Sequence, residues 1–99
     1  MKKLGTLQHL GFDCVALLAE YPHGKRPAII LKDPTTGEQL MVATINVPDE
    51  PLEPDEVVIK SYSEGAGLEV SLAEAGVIHP PHRLLPVEYA LAHVARLKT

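Results

Sequence analysis

Apolar positions in this chain follow a two-residue period through the first half, a helical period over a short stretch past the middle, and an undecided one at the end. Strict alternation marks a half-buried strand, and recurrence at i, i+4 and i+7 marks an amphipathic helix. Thr6 to Leu10 therefore predicts a short strand, closed by Gly11 at a hairpin turn. Cys14 to Tyr21 continues that hairpin, with Val15, Leu17 and Ala19 alternating against Ala16, Leu18 and Glu20, although so dense an apolar run also fits a helix. Pro22 to Gly24 reads as a turn. Arg26 to Lys32 reads as a strand, because Ile29 and Ile30 are β-branched. Asp33-Pro34-Thr35-Thr36-Gly37 is the clearest turn: Pro34 presets φ, Asp33 can accept a backbone hydrogen bond two residues on, and Gly37 admits positive φ. It leads into Glu38 to Val47, where Met41, Ala43, Ile45 and Val47 form the more apolar face.

Pro48, Pro51 and Pro54 then exclude ladder pairing, so this segment must cross the surface, with Leu52 turned inward. A short strand, Glu56 to Lys60, follows. Ser61-Tyr62-Ser63-Glu64 has the form of a capping box, with Ser63 as the competing cap, and Leu68, Leu72 and Ala75 make one apolar stripe ending at Gly76. The predicted helix is Ser63 to Ala75. His79-Pro80-Pro81-His82 is extended. Val87 to Leu97 is ambiguous: Ala90, Ala92 and Ala95 favour helix by propensity, whereas alternation of Val87, Tyr89, Leu91, His93, Ala95 and Leu97 favours strand.

These elements predict one α+β domain over residues 1–99: a twisted antiparallel sheet of five or six strands with one main helix packed on it. The expected core is Val15, Leu17, Ile29, Leu31, Met41, Ala43, Ile45, Val57, Ile59, Leu68, Leu72, Val77 and Leu91. One Phe, three Tyr and no Trp make that core aliphatic. A chain of 99 residues is expected to hold one modest core and no second domain.

Charge changes the picture more than composition does. Residues 33 to 74 carry ten carboxylates against Lys60 alone, a net charge of -9, whereas the segment before them is +3 and the remainder +2. Asp49, Glu50, Glu53, Asp55 and Glu56 crowd into eight residues. Such a separation steers a charged partner if the fold keeps the acids on one face; otherwise it serves solubility.

The runs Ala43-Thr44-Ile45-Asn46-Val47-Pro48-Asp49, Pro51-Leu52, Glu56-Val57-Val58-Ile59-Lys60-Ser61-Tyr62-Ser63-Glu64, Leu68-Glu69 and Ala75-Gly76-Val77-Ile78 resemble a family of small uncharacterised bacterial proteins. Its members occur largely on phages, plasmids and other mobile elements. The family carries an asparagine-proline-aspartate turn, a valine-isoleucine-lysine strand and a serine-glutamate-asparagine-glutamate-glycine helix opening; this chain departs from it at Gly65, Ala66 and Gly67. The likeness covers about a third of the chain. It implies a strand for Val87 to Leu97, no catalytic activity and, by association, accessory or anti-defence roles such as inhibition of host restriction or CRISPR machinery.

Candidate chemistry is sparse. Cys14 is the single cysteine, so no intramolecular disulfide or paired-thiolate zinc site is expected, and a cytoplasmic setting fits. Lying in an apolar run, it reads as a small buried hydrophobe. His79 and His82 have a helical metal spacing, but two prolines separate them. The acidic loop lacks the ligand alternation and central glycine of a calcium site. No nucleophile elbow surrounds Ser61 or Ser63, and no phosphate-binding loop is present. Scattered bases disfavour direct nucleic-acid binding, and no run reaches membrane-spanning length. The expectation is a protein-binding module without cofactor, metal or catalytic residues, acting through Asp49, Glu50, Glu53, Asp55, Glu56, Glu64, Glu69 and Glu74 on the basic groove of a host nucleic-acid-binding complex. Two alternatives remain open: a self-associating structural domain, and a small hydrolase or metal-dependent enzyme.

Overall fold

The turn at Leu10 and Gly11 has positive φ at both residues, 52° and 80°, which suits the twist of the strands it joins. In the computed structural model, which describes residues 1–98, it connects β1 (Lys2–His9) to β2 (Phe12–Glu20). β3 (Pro27–Lys32) and β4 (Gln39–Val42) complete an antiparallel sheet of order β1-β2-β3-β4. The turn before β4 forms as its residues dictate: Asp33 Oδ1 accepts the N–H groups of Thr35 and Thr36 at 2.7 and 3.1 Å.

A second antiparallel sheet, of order β5-β6-β8-β7, is built from β5 (Thr44–Ile45), β6 (Glu56–Ile59), β7 (Arg83–Val87) and β8 (Ala90–Arg96). The expectation of one sheet of five or six strands is thereby corrected to two sheets of four, and the helix is short; the coarse α+β description stands. The division falls inside the predicted strand Glu38 to Val47. Ala43 donates its N–H to the Ile29 carbonyl in the first sheet and accepts the Lys60 N–H in the second, both at 2.8 Å. One residue thus ties the two sheets together. Its methyl is fully buried in the main core at the corner.

The main core lies between the sheets: Cys14, Ala16, Ile29 and Leu31 from the first meet Val57, Ile59, Ala95 and Leu97 from the second, with Leu68 and Leu72 of α1 (Leu68–Glu74) closing the side. A smaller cluster, Val58, Leu85, Ala92 and Val94, lies on the opposite face of the second sheet under Val47 and Leu52. All four residues of β6 are therefore buried, as befits a strand covered on both faces. Leu52 does turn inward.

Three expectations need correction. Burial on β2 falls on Cys14 and Ala16, while Val15 and Leu17 are only half-buried and belong to neither cluster. Leu91 is about half exposed; Ala92, Val94 and Ala95 are buried instead, because Glu88 and Tyr89 turn the chain and make Val87 to Leu97 the end of β7 plus β8. The helix begins at Leu68, after a separate 3₁₀ turn, Ser63–Gly65, and is capped by Gly67 at φ 91° without a side-chain bond. A Cβ on Gly65 would stand 1.7 Å from the Lys60 carbonyl oxygen, so the chain folds back on β6 too tightly for the helix to start at Ser63. Met41 and Ile45 are partly buried against the clusters, and the remaining predicted core residues are buried. No helix among the described residues is long and apolar enough to cross a membrane.

Candidate protein interface

The acidic, proline-punctuated segment 46–55 is a strap over the outer face of the second sheet. Val47 and Leu52 anchor it from below. Arg26, just before β3, donates Nη1 to the Val47 carbonyl at 2.5 Å and Nη2 to the Glu50 carbonyl at 2.6 Å. Arg83 pairs with the Glu50 carboxylate at 3.1 Å, and Arg96 with Asp55 at 2.7 Å. Glu56, buried where the strap enters β6, accepts the Glu53 N–H at 2.8 Å and holds His82 Nε2 at 2.6 Å. That N–H, aided by His82 and the nearby Arg96, keeps the Glu56 carboxyl below its ordinary value despite the opposing effect of burial.

The eight predicted carboxylates do not form one face. Asp49, Glu50, Glu53, Asp55 and Glu56 lie with the strap, whereas Glu69 and Glu74 ride on α1, which packs against the main core on the other side of the second sheet. Glu64 sits in the 3₁₀ turn and pairs with Lys60. Of the strap's acids, Glu50, Asp55 and Glu56 are matched by Arg83, Arg96 and His82, which come from the basic end of the chain. Asp49 and Glu53 have exposed side chains outside these ion pairs. Within the strap, Arg83 and Arg96 therefore offset two of the five carboxylates, and Asp49 and Glu53 keep the surface acidic.

Beside the strap, at the end of the second sheet, opens a groove of about 670 Å³. Its walls are Asn46 and Val47, Tyr62 and Ser63, and the hairpin tip Glu88-Tyr89. Ser63 and Glu88 both hold positive φ, 53° and 47°, a conformation that L side chains adopt at a cost. Tyr89 is fully exposed beside this concavity. Reading Val87 to Leu97 as one strand hid the tip. Glu-Tyr carries no glycine or asparagine to announce a tight turn, and Pro86 was the only local signal.

Ser61, His9, His82 and His93 are held in hydrogen bonds within the fold. Ser61 Oγ lies 2.6 Å from His93 Nδ1, and no carboxylate among the described residues hydrogen-bonds that ring to orient it for general-base work. His9 lies beside Cys14 at a small pocket, its Nε2 2.5 Å from the Glu64 carbonyl oxygen. Burial raises the Cys14 thiol pKa above its ordinary value, the reverse of what a nucleophile requires. His82 is engaged by Glu56, and His79 is exposed. No group of three or more His, Cys, Asp or Glu among the described residues is placed to hold a metal.

No family model, curated protein or solved structure matches this chain.

Proposed function

We propose that this chain is a non-enzymatic protein-binding module, an accessory protein of the mobile-element type that its strap and helix motifs resemble. Its partner is a host nucleic-acid-handling complex of the restriction or CRISPR kind, engaged through protein contacts. The observation that carries the reading is the groove at the end of the second sheet with Tyr89 fully exposed on its rim. Tyrosine supplies a large, rigid contact area at low entropic cost and is enriched among residues that dominate binding energy. The strap beside it is pinned by Arg26 and Arg83, so little ordering entropy remains to be lost on association. Glu88 on the rim, with Asp49 and Glu53 on the strap, supplies negative charge towards a basic partner and makes association salt-sensitive.

The test is capture of partners by tagged protein from host lysate at low and high salt, repeated with Tyr89→Ala and with Glu53→Lys. Tyr89→Ala is expected to abolish capture with thermal stability unchanged, and Glu53→Lys to weaken it mainly at low salt. Capture that survives Tyr89→Ala in full would refute the groove as the binding surface.

A further inference from the structure

The outer face of the first sheet is apolar where a solvated sheet would be polar. Lys3, Leu17, Ile30 and Val42 form one cross-strand row, and Thr6, Val15, Lys32 and Gln39 form the next. Directly opposed residues of an antiparallel pair share a face, so Val15, Leu17, Ile30 and Val42 make a continuous aliphatic patch, which ends where Ala28, paired with Ala19, is buried within the chain. Val15, Leu17, Ile30 and Val42 belong to neither hydrophobic cluster. The sequence carries the same message: Cys14 to Ala19 and Ala28 to Leu31 are unbroken apolar runs, the pattern of strands covered on both sides. Within this chain their outer side is covered only in part: Val15, Leu17, Ile30 and Val42 are half-buried.

We propose that this face binds a second copy of the chain, sheet against sheet, about a two-fold axis running between β2 and β3. The charges at its margin carry their own complement. Lys3, Lys32 and Asp13 include both signs, which suits an identical surface better than a strongly acidic or basic one. Asp13 and Lys32 lie at the same end of the sheet on neighbouring strands. The two-fold therefore brings each towards its opposite on the other copy, while Leu17 stacks on Ile30. Strands of 8, 9, 6 and 4 residues, rising about 3.4 Å per residue and about 4.8 Å apart, give roughly 440 Å² a side. Two copies bury roughly 880 Å², in the range of weak and transient interfaces, so the dimer is expected to be weak and concentration-dependent. The face lies across the core from the strap and groove, so pairing leaves both grooves open and makes the assembly bivalent.

The experiment is sedimentation equilibrium of the intact chain over a wide concentration range, for the wild type and for Leu17→Thr with Ile30→Thr. Threonine has the β-branched shape that strands favour and removes apolar surface at both positions. The wild-type average mass is expected to rise from the 10.7 kDa of one chain towards twice that value. The double variant is expected to remain monomeric, with association weakened by about tenfold or more in binding constant. Asp13→Lys should weaken association, and adding Lys32→Asp should restore it. A wild type that stays monomeric throughout, or a dimer indifferent to the threonine substitutions, would overturn the proposal. So would a monomer that captures an unrelated protein through Leu17 and Ile30. Because Tyr89 lies on the other side of the molecule, the Tyr89→Ala result is read independently of this one.

Discussion

Glu56 and His82, 26 positions apart, meet at 2.6 Å at the end of the strap, and the other Glu56 oxygen holds the Glu53 N–H. Because the folded carboxyl titrates below its ordinary value of 4.5, its contribution is fully present above that value. It is lost as pH falls through the lower, folded-state pKa. Urea titrations from pH 7 downwards should therefore show wild-type stability falling below about pH 4.5. Glu56→Gln should cost about 1–3 kcal/mol at neutral pH and give a flatter acid limb. Parallel acid limbs would show that another carboxylate governs the response.

Arg26 spans two carbonyls of the strap with two guanidinium nitrogens. Removing it by Arg26→Ala should lower stability by about 2 kcal/mol and speed amide exchange across 46–55. Arg26→Lys should recover little, since one ammonium cannot reproduce the planar fork. By contrast, Asp55 and Arg96 are both close to half exposed, and Asp55→Asn should change stability by less than about 1 kcal/mol.

The return of the chain over β6 depends on Gly65, where an added methyl would collide with the Lys60 backbone. Gly65→Ala should destabilise by about 3 kcal/mol. Gly67→Ala meets open space but must adopt φ 91°, and should cost only about 1–2 kcal/mol. Denaturant midpoints that reverse this order would contradict the tight return.

The Cys14 thiol is buried, with its Sγ 3.5 Å from the Phe12 carbonyl oxygen, and burial disfavours the thiolate. Alkylation in native buffer should be slow and should accelerate across the urea transition, following the unfolded fraction. Rapid labelling of the folded protein would show that the inner face of β2 opens without global unfolding.

Local chemistry was enough to read the turns at Gly11 and Asp33–Gly37, the inward Leu52, the β6 strand and the Leu68–Leu72 stripe. Each follows from steric rules or periodicity acting over a few residues. The proline-rich crossing was legible in the same way. Other features depend on residues far apart in sequence. β2 is apolar at both phases, so only the arrival of the second sheet decides that Cys14 and Ala16 face the core and Val15 and Leu17 do not. The acids of the strap looked like a free surface until Arg83 and Arg96 closed on them across 33 and 41 positions. The break at Ala43, shared between two sheets, and the turn at Glu88-Tyr89, lacking its usual residues, also needed tertiary context. The sequence alone determined where the chain can bend and which segments must bury something. The fold decided which face is buried, which charges are cancelled and which surfaces remain for a partner, because burial and ion pairing depend on proximity in space.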